Sequence, residues 1–269
     1  MTNDVPSQGS FTAWLSISKP RTLRTPRAYV VRNYLADALD ARPRTFMRIQ
    51  RRRQRTWKSV HRLVTADHHL VLDAFPRSGS SFAHVALTRA NPASAGKIGT
   101  HIHRSAHVIE GLRLGIPTVV LLRAPESAVT SLMALGVQNG ELPVLSPADA
   151  QLCIAETLRR YVRFHTRINH LEAIVLATFE EVVSDFGQVI DRINTRCGTT
   201  FARFDHNDDT VAEIFDSTRH HLSPNADRDA VKSAMRESYH SPKLAKLRLS
   251  AEDAYLNLKK RAVHTASHT

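Results

Sequence analysis

The chain has 269 residues, and 37 Lys and Arg against 25 Asp and Glu give it a formal charge of +12, so its partners are anions: nucleotides, phosphorylated or sulfated molecules, nucleic acid or acidic lipid. Its two cysteines, Cys153 and Cys197, both fall in helical patterns, which excludes a disulfide framework and a zinc ribbon and suits a reducing compartment. No segment is apolar for long enough to span a bilayer, and the start lacks the basic and then apolar order of a secretory signal, so a soluble cytoplasmic protein, open to peripheral contact with membrane, is expected.

Residues 1–25 are polar, with Phe11, Trp14, Leu15 and Ile17 as their apolar cluster, and read as a loosely docked arm. From Pro26 to Leu63 the pattern is helical and interrupted at Pro43. Within it, Arg42 to Arg62 includes Arg44, Arg48, Arg51, Arg52, Arg53, Arg55 and Lys58 without one acid. That run reads either as a solvated helix face or as a contact for an anionic acceptor, an anionic membrane or nucleic acid. Residues 1–64 are therefore expected to form a basic helical extension and residues 65–269 an α/β domain.

Three short apolar runs, His69 to Phe75, Pro117 to Leu122 and Ala173 to Phe179, alternate with helical patterns as parallel strands do. Pro147 to His170 predicts one long helix. After the third run, Val182, Val183, Phe186, Val189, Ile190 and Ile193 keep helical spacing up to Gly198, a C-terminal cap. Two more helical segments are predicted over Asp227 to Tyr239 and Pro242 to Val263, with a frayed tail.

The first strand ends in Phe75-Pro76-Arg77-Ser78-Gly79-Ser80-Ser81-Phe82, a small-residue loop that opens a helix. The unpaired N–H groups of a first helical turn, aided by the helix dipole, converge on an anion. Gly79 permits close approach, the serines add hydroxyl donors, and Arg77 adds a permanent cation. A Walker A loop would carry Lys after the glycine, so a P-loop kinase is disfavoured. The second strand ends in Arg123-Ala124-Pro125, with Ser131 eight positions beyond Arg123 and two turns into the next helix, so both side chains can reach one phosphate at the carboxyl edge of the sheet. Between the two lies Lys97-Ile98-Gly99-Thr100-His101-Ile102-His103-Arg104. A metal held by His101, His103 and His107 is the lesser reading, because no carboxylate completes the set.

The loop from Phe75 to Phe82 resembles the 5′-phosphosulfate loop of the sulfotransferases that use 3′-phosphoadenosine 5′-phosphosulfate (PAPS). The strand with Arg123, Pro125 and Ser131 resembles their 3′-phosphate element, and Thr100-His101 their Lys-Thr-His segment, with Gly99 in place of Lys. The resemblance covers roughly residues 69 to 200 and implies a three-layer P-loop-like fold with a central parallel sheet, of bacterial or Golgi type rather than cytosolic animal type. It implies PAPS as donor held by Arg77, Ser78, Gly79, Ser80, Ser81, Phe82, Arg123 and Ser131. His101 would be the base, Arg77 would stabilise the leaving phosphate, and no metal is required. The family's Tyr-Glu-Asp appears as Phe179-Glu180-Glu181, without the hydroxyl, and Arg228 stands where relatives place a late phosphate contact. The acceptor would be a small molecule, carbohydrate or lipid bearing a hydroxyl or amine. A non-catalytic binder of nucleic acid or other anions is the alternative, with nucleic acid the less expected partner.

Overall fold

In the computed structural model the described residues are 25–54, 63–217 and 226–266, without the side chains of 54, 217, 226–229 and 264–266. The N-terminal arm, Arg55, Lys58, Arg62, the Arg228 side chain and the last three residues lie outside them. The expected α/β architecture is formed. Four parallel strands, β1 (Leu70–Ala74), β2 (Ile98–Thr100), β3 (Thr118–Leu122) and β4 (Val175–Thr178), pair in the order β2-β1-β3-β4. The chain leaves β1 to one side and returns to place β3 on the other, so the switch in connection direction falls between β1 and β3. Ligands of open α/β sheets bind beyond the strand ends at such a point.

Every strand residue is buried, as continuous apolar runs between two helical layers require. Alternation then sorts the side chains. Leu70, Leu72, Ala74, Val119, Leu121, Val175 and Ala177 pack against helices α3 (Ser80–Ala90), α8 (Phe186–Cys197) and α9 (Asp208–Ser217). On the other face Val120, Leu122 and Leu176 meet α4 (Ser105–Arg113), α5 (Pro125–Gln138), α6 (Pro147–Ile168), α10 (Ala226–Tyr239) and α11 (Ala245–Ala266), while Val71 joins Phe46, Met47, Leu63 and Val64 in a smaller cluster. Over α4 and α6 lie α1 (Pro26–Asp40) and α2 (Pro43–Gln54), the first on α6 and the second on α4. Among the described residues no helix is long and apolar enough to cross a membrane.

Three expectations are corrected. Strand β2 was not foreseen, because Ile98-Gly99-Thr100 is too short to show alternation. The third strand stops at Thr178, whose hydroxyl accepts the Glu181 N–H while the Glu181 carboxylate accepts the Thr178 N–H, a capping box that starts helix α7 (Phe179–Ser184). The helix expected to run on to Gly198 is broken at Asp185, which leaves helical geometry at φ −156° and caps α8 through the Gln188 N–H. Gly198, at φ 63°, ends α8 in the left-handed conformation as expected.

Candidate active site

The loop after β1 holds two left-handed residues separated by Ser78. Arg77 has φ 72° and Gly79 φ 89°, so the chain folds tightly enough for α3 to begin at Ser80. No side chain caps α3, which leaves the N–H groups of its first turn turned towards the crevice. Ser78 is completely buried, and its hydroxyl has no hydrogen-bond partner among the described residues. A Cβ on Gly79 would meet the Phe179 ring at 3.3 Å and Val182 at 3.4 Å, so both its conformation and its packing require glycine. Buried donors, an uncapped helix start and an orphaned hydroxyl fit an anionic group of phosphate or phosphosulfate size.

The β3 element comes to the same place. Arg77 Nε donates to Ser131 Oγ at 3.0 Å, and Arg123 Nη1 donates to the Arg77 carbonyl oxygen at 2.6 Å. The two sequence motifs therefore form one cluster across the switch point. Arg123 is held from three directions: Tyr161 donates its hydroxyl to the Arg123 carbonyl at 2.6 Å, the Arg123 guanidinium lies 4.0 Å from the centre of the Phe179 ring, and Glu180 lies within electrostatic reach. Burial lowers the Arg123 pKa and Glu180 opposes that shift. Phe179, where the family resemblance leads one to look for a tyrosine hydroxyl, is instead the face on which Arg123 stacks.

The segment after β2 brings the histidines to this cluster. Among the described residues the only non-glycine positions with positive φ are Arg77, His101 at 60° and His103 at 55°, and all three lie just beyond the carboxyl ends of the neighbouring strands β1 and β2. Left-handed backbone costs an ordinary residue about 1–2 kcal/mol, and such strain collects where a site fixes geometry that packing alone would not choose. His101 Nε2 lies 3.2 Å from Ser81 Oγ, so the expected base touches the cradle. His103 follows β2 by three residues and is largely enclosed. Its side chain is only 23% exposed, Nδ1 donates to the Ala74 carbonyl at 2.8 Å, and burial lowers its pKa while Asp73 works against the shift. That bond fixes the neutral tautomer with the lone pair on Nε2.

Asp73 organises the segment from beneath and is the principal residue that sequence reasoning missed. Its Oδ1 accepts the N–H groups of Ala74 at 2.9 Å and His103 at 3.1 Å, and its Oδ2 accepts His107 Nδ1–H at 2.7 Å. His107 Nε2 accepts the Val64 N–H at 3.0 Å, so both ring nitrogens of His107 are committed to the protein and the His101, His103, His107 metal reading loses its third ligand. Among the described residues no three side chains assemble into a metal site. An acid in the middle of the apolar run Leu70-Val71-Leu72-Asp73-Ala74 was the available signal.

Asp37 and Asp40 of α1 fix the far end of the segment. Arg104 Nη1 donates to Asp37 at 2.6 Å; Asp40 accepts Ser105 Oγ–H at 2.7 Å and the Ala106 N–H at 2.8 Å. Asp40 thus caps α4 from another helix, since Arg104 at its N-cap supplies no side-chain acceptor. Burial, with Arg160 nearby, lowers the Arg104 pKa to about 10.

No protein-family model matches the chain, and no curated protein matches it. Among solved structures, mouse sulfotransferase SULT7A1 complexed with PAP is similar at 13% identity and a TM-score of 0.46, over 77% of this chain and 90% of that chain.

Proposed function

We propose that the protein is a sulfotransferase that takes a sulfuryl group from PAPS and passes it to a hydroxyl or amine of an acceptor. The observation that carries this reading is the junction of two anion-seeking elements at the switch point, where Arg77 bonds Ser131 and Arg123 bonds the Arg77 carbonyl. One element suits a phosphate at the 5′ position of a nucleotide and the other a second phosphate at the 3′ position. A kinase reading lacks its lysine, because Ser80 follows Gly79.

When bound, PAPS supplies the transferable sulfuryl group. The first-turn N–H groups of Ser80, Ser81 and Phe82 and the Ser78 hydroxyl would hold its 5′ end, with Arg77 neutralising charge there. Arg123 and Ser131 would hold the 3′-phosphate. His101, beside Ser81, would take the acceptor proton on an imidazole nitrogen. Arg77 cannot donate a proton, so the leaving phosphate departs as an anion stabilised by fixed donors. His103 is the second reading for the base, favoured by the Ala74 bond that leaves its Nε2 free of a proton.

Calorimetric titration with 3′-phosphoadenosine 5′-phosphate, adenosine 5′-phosphate and ATP tests the nucleotide reading. The first should bind far more tightly than the second. Ser131→Ala should erode that preference by about 1 kcal/mol for a lost hydrogen bond, and Arg123→Ala by about 1.5–3 kcal/mol for a charge-assisted one. Equal affinity of the unaltered protein for the first two nucleotides, or a preference for ATP, would refute the proposal.

A further inference from the structure

Helix α1 is inverted with respect to an ordinary surface helix. Its buried face carries Tyr29, Asn33, Asp37 and Asp40, and the two acids are bound by Arg104, Arg163, Arg167, Ser105 and the Ala106 N–H. Its solvent face carries Val31, Tyr34 and Leu35, exposed at 56%, 58% and 61%, at the spacing that places them together, with exposed Ala28 and Ala38 in line and the exposed cations Arg27 and Arg32 among and beside them. An amphipathic surface helix shows the reverse order. The helix is attached by these ion pairs together with Tyr29, Val30 and Leu39, and presents Val31, Tyr34 and Leu35 to the surroundings.

Two residues later α2 presents Arg44, Arg48, Arg51 and Arg52 along one face, and with Arg113 of α4 they line a groove of about 440 Å³. Its one acidic lining residue, Glu110, is already bonded by Arg51 and Arg113. Among the described residues no acid pairs with Arg44, Arg48 or Arg52. Both helices belong to the outermost layer on the same face of the sheet. The preceding sequence adds Phe11, Trp14, Leu15 and Ile17 together with Lys19, Arg21 and Arg24 against Asp4 alone.

We propose that this layer docks on the surface of an anionic bilayer, with Val31, Tyr34 and Leu35 entering the interfacial zone and the α2 arginines on lipid phosphates and carboxylates. Stable peripheral attachment takes two signals, an apolar insertion and a polybasic patch, and the layer supplies one on each of two contacting helices. A second copy of the chain on the same face would set arginine against arginine. The residues before Thr25 are themselves net positive, so they too are a poor cover for the arginine face. The proposal is independent of the nucleotide reading: its docking side chains, Val31, Tyr34 and Leu35 of α1, the arginines of α2 and Arg113, are none of those assigned to the nucleotide.

The full chain is floated with vesicles of phosphatidylcholine alone and of equal parts phosphatidylcholine and phosphatidylserine. The expected result is binding to the mixed vesicles only, weakened by salt. Replacing Val31, Tyr34 and Leu35 together with Ser should weaken it roughly tenfold or more without lowering thermal stability, since these side chains are exposed; replacing Arg44, Arg48 and Arg52 together with Gln should weaken it as much and remove most of the salt dependence. Absence of binding to the mixed vesicles, or unchanged binding by both variants, overturns the proposal. So does a concentration-dependent dimer in sedimentation velocity that the serine variant abolishes, which would give the face to a second copy. Retention of a short RNA that survives the serine replacement and exceeds vesicle binding would give the arginines to nucleic acid instead.

Discussion

Replacing Asp73 with Asn would keep the shape of the side chain and break its hydrogen bonding. All three partners of the carboxylate are donors: the Ala74 and His103 N–H groups at Oδ1, and His107 Nδ1–H at Oδ2. His107 cannot exchange its tautomer without cost, because Nε2 already accepts the Val64 N–H. An asparagine offers one oxygen and one amide NH2, so in either orientation a buried donor faces another donor. The unsatisfied group costs about 1–3 kcal/mol, and the two surviving bonds fall from charge-assisted to neutral strength at about 1 kcal/mol each, a total of about 3–5 kcal/mol. Because Asp73 is completely buried, solvent screening offsets little of this. Urea unfolding followed by circular dichroism measures it as a lowered midpoint at unchanged slope. The His103 segment, left with a weaker bond at Oδ1 and a displaced His107, should also lose activity more than it loses affinity for 3′-phosphoadenosine 5′-phosphate, whose proposed cradle is the separate loop from Ser78 to Phe82. A stability within about 0.5 kcal/mol of the unaltered protein, the range of an inconsequential surface change, would show that Asp73 does not organise the segment.

Gly79→Ala should destabilise the fold by about 1–3 kcal/mol and weaken binding of 3′-phosphoadenosine 5′-phosphate, because φ 89° is unfavourable for alanine and its Cβ would press on Phe179 and Val182; unaltered nucleotide affinity in calorimetry would remove Gly79 from the cradle. His101→Ala should lower turnover by roughly two or more orders of magnitude with nucleotide affinity nearly unchanged, and His103→Ala much less; a dead His103→Ala beside an active His101→Ala in the same assay would move the base to His103. His165 is completely buried and stacked on Tyr161, and burial lowers its pKa from 6.5 to about 4. The unfolded chain therefore takes up this proton first as pH falls, so stability is complete above about pH 6.5 and is lost between there and pH 4, by an amount on the order of 3 kcal/mol. His165→Phe should remove that part of the acid loss in denaturant titrations at pH 7 and pH 4, and an identical loss in both proteins would refute it.

The covered apolar runs of β1, β3 and β4, the loop from Arg77 to Phe82, and the placing of Arg123 just past a strand end with Ser131 two turns into the next helix were legible in the sequence. Each is local: an unbroken Thr118-Val119-Val120-Leu121-Leu122 is stable only between two layers, and eight residues across a strand end and two helical turns fix where Ser131 points. What local pattern could not supply was which distant groups neutralise one another. Asp73 is one acid in an apolar strand until β2 and α4 are laid beside it, and only then does it receive His103 and His107. Phe179 lost a hydroxyl on paper and gained a guanidinium in space. The sequence alone would place Asp37 and Asp40 on an outward polar face of α1; their arginine partners arrive from more than sixty positions away and draw them inward, leaving Val31, Tyr34 and Leu35 outside. Hydrophobic periodicity reads which residues can be buried together within an element, whereas ion pairs between elements decide which face is buried, and that depends on chain topology.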